Sequence, residues 1–200
     1  MDDVTLLAQE RNIESLRADR INKLISRAEN IDRDAAEELP ALASEIESLA
    51  SEAGCKKGIA ESKLLTARYA AMKDDYGEAI RLASEALRQF EDAGDTMGRI
   101  KAMSTLGFSY GQLGKLDAAL RHFLDGMELF DKCGFEGADA EGINGNLLNN
   151  LASIYGDLGR WDEALKVLEE VRRQAAKTGG APLAVALGNI CEAFLNKGDL

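Results

Sequence analysis

The residues that could do chemistry in this chain are few and widely spaced. His122 is the single histidine among 200 residues, and no nucleophile or carboxylate stands at a telling spacing from it for acid–base work. Three cysteines, Cys55, Cys133 and Cys191, lie 78 and 58 residues apart. An odd count without a C-x-x-C pair or a histidine set argues against a disulfide framework and against a zinc site. Gly54 and Gly58 flank Lys56-Lys57, but no strand precedes them, so they do not form a phosphate-binding loop. Acidic pairs such as Asp74-Asp75 and Asp162-Glu163 suit the positive ends of helices. These types and spacings lead us to expect no catalytic residue, no cofactor and no metal ligand. Binding chemistry is better represented. Asparagine, a poor helix former, crowds one stretch at Asn144, Asn146, Asn149 and Asn150. An amide both donates and accepts, which suits a peptide backbone and equally suits solvent or a neighbouring helix.

Helices have to carry these groups. Apolar residues at Leu6/Leu7, Ile13, Leu16, Ile21, Leu24/Ile25 and Ala28 recur at spacings of three and four, the stripe of an amphipathic helix. Asp32 reads as the N-cap of a helix over about 33–53, with Pro40 forcing a kink or restart. Helix pairs follow over about 57–73 and 76–93, 97–113 and 116–133, and 140–158 and 161–177, parted by glycine or aspartate turns. A last helix opens at Pro182 and runs to about Lys197. No alternation of period two survives beyond a few residues, so no strand is expected. Gly111–Asp125 (GQLGKLDAALRHFLD) aligns without gaps with Gly156–Glu170 (GDLGRWDEALKVLEE), and self-similarity of this kind signals a helical repeat array. Ala36, Ala79, Ala119 and Ala164 occupy one place in four successive second helices, with separations of 43, 40 and 45 residues. Alanine there lets the helices of a pair cross closely. The expected fold is an all-α, right-handed superhelical solenoid of antiparallel helix pairs. A single array spans 1–200, with repeats near 4–54, 55–95, 96–135 and 136–179 and a partial one at 180–200.

Leu106-Gly107, Tyr110, Ala119 and Phe123, with Met103 in the leading place, and then Leu151-Ala152, Tyr155, Ala164 and Leu168, with Leu148 leading, resemble the tetratricopeptide repeat. The copy around Ala67 and Ala79 is weaker, and the one around Ala36 is the faintest. The resemblance covers roughly residues 20–200 and departs from the usual 34-residue period, since each repeat is six to eleven residues longer. The long period and the Asn149-Asn150-Leu151 entry look like the tetratricopeptide regions of bacterial signalling proteins. Such regions precede diguanylate cyclase (GGDEF) or histidine kinase domains, and also occur in maltose-type transcription activators and response-regulator phosphatases.

In tetratricopeptide arrays the outward side of each first helix lines a concave groove that receives peptides. Placing Leu148, Leu151, Ala152 and Tyr155 inward at 100° per residue turns Asn146, Asn150, Ser153 and Asp157 toward that groove. The equivalent sets are Lys101, Thr105, Phe108 and Gln112 before them, and Val185, Asn189, Glu192 and Asn196 after them. An earlier copy gives Glu61, Leu65, Arg68 and Met72. The expected peptide groove comprises Leu65, Arg68, Met72, Lys101, Thr105, Phe108, Gln112, Asn146, Asn149, Asn150, Ser153, Asp157 and Asn189. Its ligand is expected to bring a hydrophobic anchor for Phe108 and a carboxylate for the basic strip of Arg68 and Lys101. The competing placement has Phe108 packed sideways on the neighbouring first helix near Asn149 and Asn150.

A formal charge of −11 argues against nucleic acid, whose phosphates need a basic footprint, and against an anionic lipid surface. No apolar run approaches the length of a membrane span, and no basic n-region leads into an apolar stretch at the N-terminus. A cytoplasmic module that binds protein or peptide is the reading, serving as the regulatory front of a signalling protein whose output domain lies beyond Leu200. Histidine kinase, transcription-regulator and free-standing adaptor contexts are the alternatives. The chain stops at the turn of its last repeat, so a fragment is expected, with fraying or a homodimer through residues 183–197. Trp161 is expected to be a partly buried residue closing its turn, and Cys191 a small core residue.

Overall fold

The computed structural model describes residues 3–31, 33–178 and Leu195. All its regular elements are helices: α1 (Asp3–Glu29), a 3₁₀ turn (Ala36–Glu38), α2 (Leu39–Glu52), α3 (Lys56–Met72), α4 (Tyr76–Ala93), α5 (Thr96–Gln112), α6 (Leu116–Cys133), α7 (Ala138–Asp157) and α8 (Trp161–Thr178). The chain divides into two compact units, Met1–Thr105 and Leu106–Leu200, and the division falls inside α5.

In the first unit, the stripe on the second half of α1 does what its spacing requires. Ile21, Leu24, Ile25 and Ala28 are buried against Leu39, Leu42, Ala43, Ile46 and Ala50 of α2 and Leu65 of α3. The first half of α1 is different: Ile13 is 50% exposed and Leu16 61%. Pro40 causes a restart and no kink. A 3₁₀ turn precedes it, and the proline occupies the first turn of α2, where its missing N–H has no helical acceptor to lose. Ala36 therefore lies in that 3₁₀ turn and not inside a second helix, although it is buried. The N-cap expected at Asp32 lies outside the described residues. Between α3 and α4 the alanines Ala70, Ala71 and Ala79 pack on one another, and Phe90 of α4 lies against Gly98 of α5 so closely that a Cβ there would overlap the ring.

The second unit repeats this device twice. A Cβ on Gly107 of α5 would stand 2.8 Å from the ring of Phe123 on α6, and one on Gly156 of α7 would stand 3.0 Å from the ring of Trp161. Trp161 is half-buried and packs on Ala152 and Leu168 with Leu165 and Val167. Leu148 and Val171 also pack together, with Met127 and Val167 against them.

The turns follow one chemical plan. The residue opening the second helix of a pair donates its N–H five residues back, from Lys115 to the Tyr110 carbonyl at 2.9 Å and from Arg160 to the Tyr155 carbonyl at 2.8 Å. This closure needs a left-handed residue just before it. Gly114 and Gly159 supply it with φ near 70°, and Asp74 supplies it at φ 61° without being glycine. The Asp74 carboxylate is held by Tyr76 Oη at 2.8 Å and by Arg33 at 2.7 Å, while the next residue, Asp75, caps α4 through the N–H of Glu78. A cation then covers the tyrosine of α3, α5 and α7: Lys73 over Tyr69, Lys115 over Tyr110, and Arg160 over Tyr155 at 4.7 Å.

Candidate functional site

The outward face of each first helix carries different chemistry in the two units. In the first unit it is occupied by the protein's own charges. Glu61 of α3 is 3% exposed, a burial a carboxylate accepts only with partners. Lys101 of α5 provides one, with its Nζ 3.4 Å from Glu61 and also paired with Glu29 at the end of α1. Arg68 of α3 donates to the carbonyl of Ala28 at 3.4 Å. Burial pushes the Glu61 carboxyl above the usual carboxylate range, against the pull of Lys101. Burial also draws the Lys101 ammonium down, but Glu61 and Glu29 outweigh it and hold its pKa above the ordinary value. The Arg68 guanidinium is lowered by burial, with Glu29 and Glu61 opposing.

Three sequence expectations are corrected here. Leu65 is 1% exposed and belongs to the core that joins α1 to α3, so it cannot line an open groove. Met72 packs onto the same core. Arg68 and Lys101 do not form a free basic strip, because a carbonyl and two carboxylates already satisfy them. Sequence reasoning had Glu61 in the right stripe but could not see that it and Glu29 neutralise Lys101. Thr105 uses its hydroxyl on the Lys101 carbonyl, 3.1 Å away.

In the second unit the corresponding face is open. A cleft of about 240 Å³ is lined by Phe108, Gly111 and Gln112 of α5, Phe123 of α6, and Asn150, Ser153, Ile154 and Asp157 of α7. Five of the expected groove residues are thus brought together: Phe108, Gln112, Asn150, Ser153 and Asp157. Gly111 lets α5 and α7 approach, since a Cβ there would stand 2.9 Å from the Ile154 side chain. Phe123 is buried beneath, held by its contact with Gly107. Phe108 remains 38% exposed and shares the cleft lining with Asn150. Asn146 is exposed and is not part of the lining. Asn149 is half-buried, and its Oδ1 is shielded from solvent without a hydrogen-bond partner among the described residues. Asn189 and Cys191 lie outside the described residues.

His122 does not enter the cleft lining. Its ring stacks on Tyr110 at 5.5 Å and 7°, and burial holds its imidazole below the ordinary range. Cys55 caps α3, its sulfur accepting from the N–H of Gly58 at 3.4 Å. Among the described residues, no group of three histidine, cysteine or acidic side chains is placed to hold a metal ion, and no helix is long and apolar enough to cross a membrane.

Residues 146–173, most of α7 and α8, match the tetratricopeptide repeat family. Among solved structures, the fold is similar to that of a Podosopora anserina protein assigned as a kinesin light chain with nearly identical tetratricopeptide-like repeats. The TM-score is 0.63 at 16% identity, over 90% of this chain and 88% of that one. It is also similar to BtubC (BKLC) from P. vanneervenii, with a TM-score of 0.65 at 16% identity over 93% of this chain and 85% of that one. At such identity the likeness speaks for fold alone. No curated protein matches the sequence. The helix pairs have a fold similar to that of tetratricopeptide arrays, and the α7–α8 pair carries the repeat in its sequence.

Proposed function

We propose that this chain is a protein- or peptide-binding tetratricopeptide module, and that its partner docks in the cleft of the second unit. Phe108 carries the proposal. A large aromatic left 38% exposed beside a concave wall of amide and hydroxyl groups has the composition of a binding hot spot. Asn150 and Gln112 can each donate to and accept from an extended backbone, and Phe123 gives the cleft a firm apolar floor. The test is a display selection of random nonapeptides on the whole 200-residue chain, repeated with Phe108→Ala. Enriched peptides should bind the variant roughly thirtyfold more weakly, about 2 kcal/mol, while its stability moves by less than about 1 kcal/mol. A sharp fall in melting temperature with unchanged affinity per folded molecule would remove the cleft from consideration.

We read the biological setting as the regulatory region of a larger bacterial signalling protein, with a diguanylate cyclase as the first choice of output. A histidine kinase, a maltose-activator-type regulator and a free-standing adaptor are the alternatives. The long spacing of 40 to 45 residues between Ala79, Ala119 and Ala164 supports this setting through the resemblance described above. The reading frame downstream of Leu200 tests it. A GGDEF-type signature supports the first choice, a kinase or DNA-binding signature supports an alternative, and an immediate stop codon leaves only the adaptor.

A further inference from the structure

Resting on the cleft as the docking place, we infer that its occupant is a cationic peptide segment, with an apolar side chain for Phe108 and a lysine or arginine for Asp157. The charge runs opposite to the carboxylate that the sequence suggested. Asp157 is the last residue of α7 and Gln112 the last of α5, and both line the same cleft. Helix C-termini carry negative partial charge, so this end of the cleft is negative twice over before the carboxylate is counted.

No described residue of the lining neutralises it. Neither α5 nor α7 has a basic residue in its last turn, and none of the eight lining residues is basic. The cations of the following turns are turned to other tasks. Lys115 lies over the Tyr110 ring, and Arg160 lies over the Tyr155 ring and bonds Glu163 at 2.7 Å. Among the described residues, Asp157 makes no ion pair. An aspartate in this position also works against the helix it ends. Local rules of this kind are broken most often where a group serves a ligand. The net charge of −11 adds a long-range attraction of the same sign.

The spacing follows from the helix. Phe108 precedes the end of α5 by four residues, about 6 Å along its axis, which is roughly two residues of extended peptide. Anchor and cation are therefore expected about two positions apart. A peptide carboxylate in the same place would meet Asp157 and two helix C-termini, and is disfavoured.

The test uses the same nonapeptide library on the whole chain, with Asp157→Asn and Asp157→Lys beside Phe108→Ala. Enriched peptides should pair an apolar residue with lysine or arginine at about that spacing, and binding should weaken with salt. Asp157→Asn should lower their affinity about three- to tenfold, and Asp157→Lys should move the selection toward glutamate and aspartate. Neither substitution should lower the melting temperature, because each removes an acid from a helix C-terminus. Peptides that need Phe108 but are acidic, or are indifferent to Asp157→Asn, overturn the charge and leave the docking place standing. Peptides indifferent to Phe108→Ala, or a selection that enriches nothing, overturn the docking place and this inference with it.

Discussion

The same side of a first helix has opposite fates in the two units. In the first, Glu61, Lys101, Glu29 and the Arg68–Ala28 bond join α1, α3 and α5, so polar groups on that face are used up in holding helices together. In the second, the face keeps an exposed Phe108, three uncharged polar side chains and one carboxylate around a cleft. A repeat position does not by itself define a binding residue. What decides is whether neighbouring first helices supply the complementary charge or leave it to a ligand.

Breaking the shared scaffold should cost most. Phe123→Ala removes a buried ring that both fills the space over Gly107 and floors the cleft, and should lose about 3–5 kcal/mol in urea unfolding. Phe90→Ala should lose a similar amount through Gly98, so the two units should look alike in this respect. A loss below about 1 kcal/mol at Phe123 would mean that the cleft has no firm floor.

Removing a charge should then separate the units. Lys101→Ala leaves Glu61 buried without its closest cation and should cost up to about 3 kcal/mol at neutral pH. The double variant Lys101→Met, Glu61→Leu should recover most of this, because apolar replacement of a buried pair is often close to neutral. Without recovery, the pair would not be the reason for the loss. By contrast, Gln112→Ala in the second unit should change stability by less than about 0.5 kcal/mol, as an exposed substitution normally does.

The smallest expected effect is a pH dependence confined to the first unit. The folded pKa of Glu61 is raised, so the native state holds that proton longer than the unfolded chain. Its contribution to stability therefore falls as pH rises from about 4.3, the unfolded value, through the folded pKa. Glu61→Gln lacks this decline and should gain on the wild type across that window. Lys101 acts at the other end of the scale. Its pKa is raised, so its stabilisation is complete below about 10.4 and is lost as pH rises through the folded value. Parallel pH profiles for wild type and Glu61→Gln between pH 4 and 7 would contradict the assignment.

Local signals determined most of the architecture. Apolar stripes at three- and four-residue spacing placed the pairs α3–α4, α5–α6 and α7–α8 within a residue or two, because burying one face of a helix demands that periodicity whatever the partner, whereas the helix expected over 33–53 begins only at Leu39. Turn residues such as Gly114, Gly159 and Asp75 were legible because left-handed backbone and helix caps each accept few side chains. The alanines at 79, 119 and 164 announced close crossings, and the repeat match over α7 and α8 lies where self-similarity was plainest. Phe108 and the α7 polar stripe were also legible as one outward face. Helical phase alone, however, could not separate Leu65 from Phe108. Both occupy the outward side of a first helix, yet Leu65 is covered by α1 and α2 while Phe108 is left beside a cleft. Nor could it show that Lys101 meets Glu29, 72 residues away. Such pairings depend on how far one helix reaches past another, and that distance is set by packing between elements, which no local spacing records.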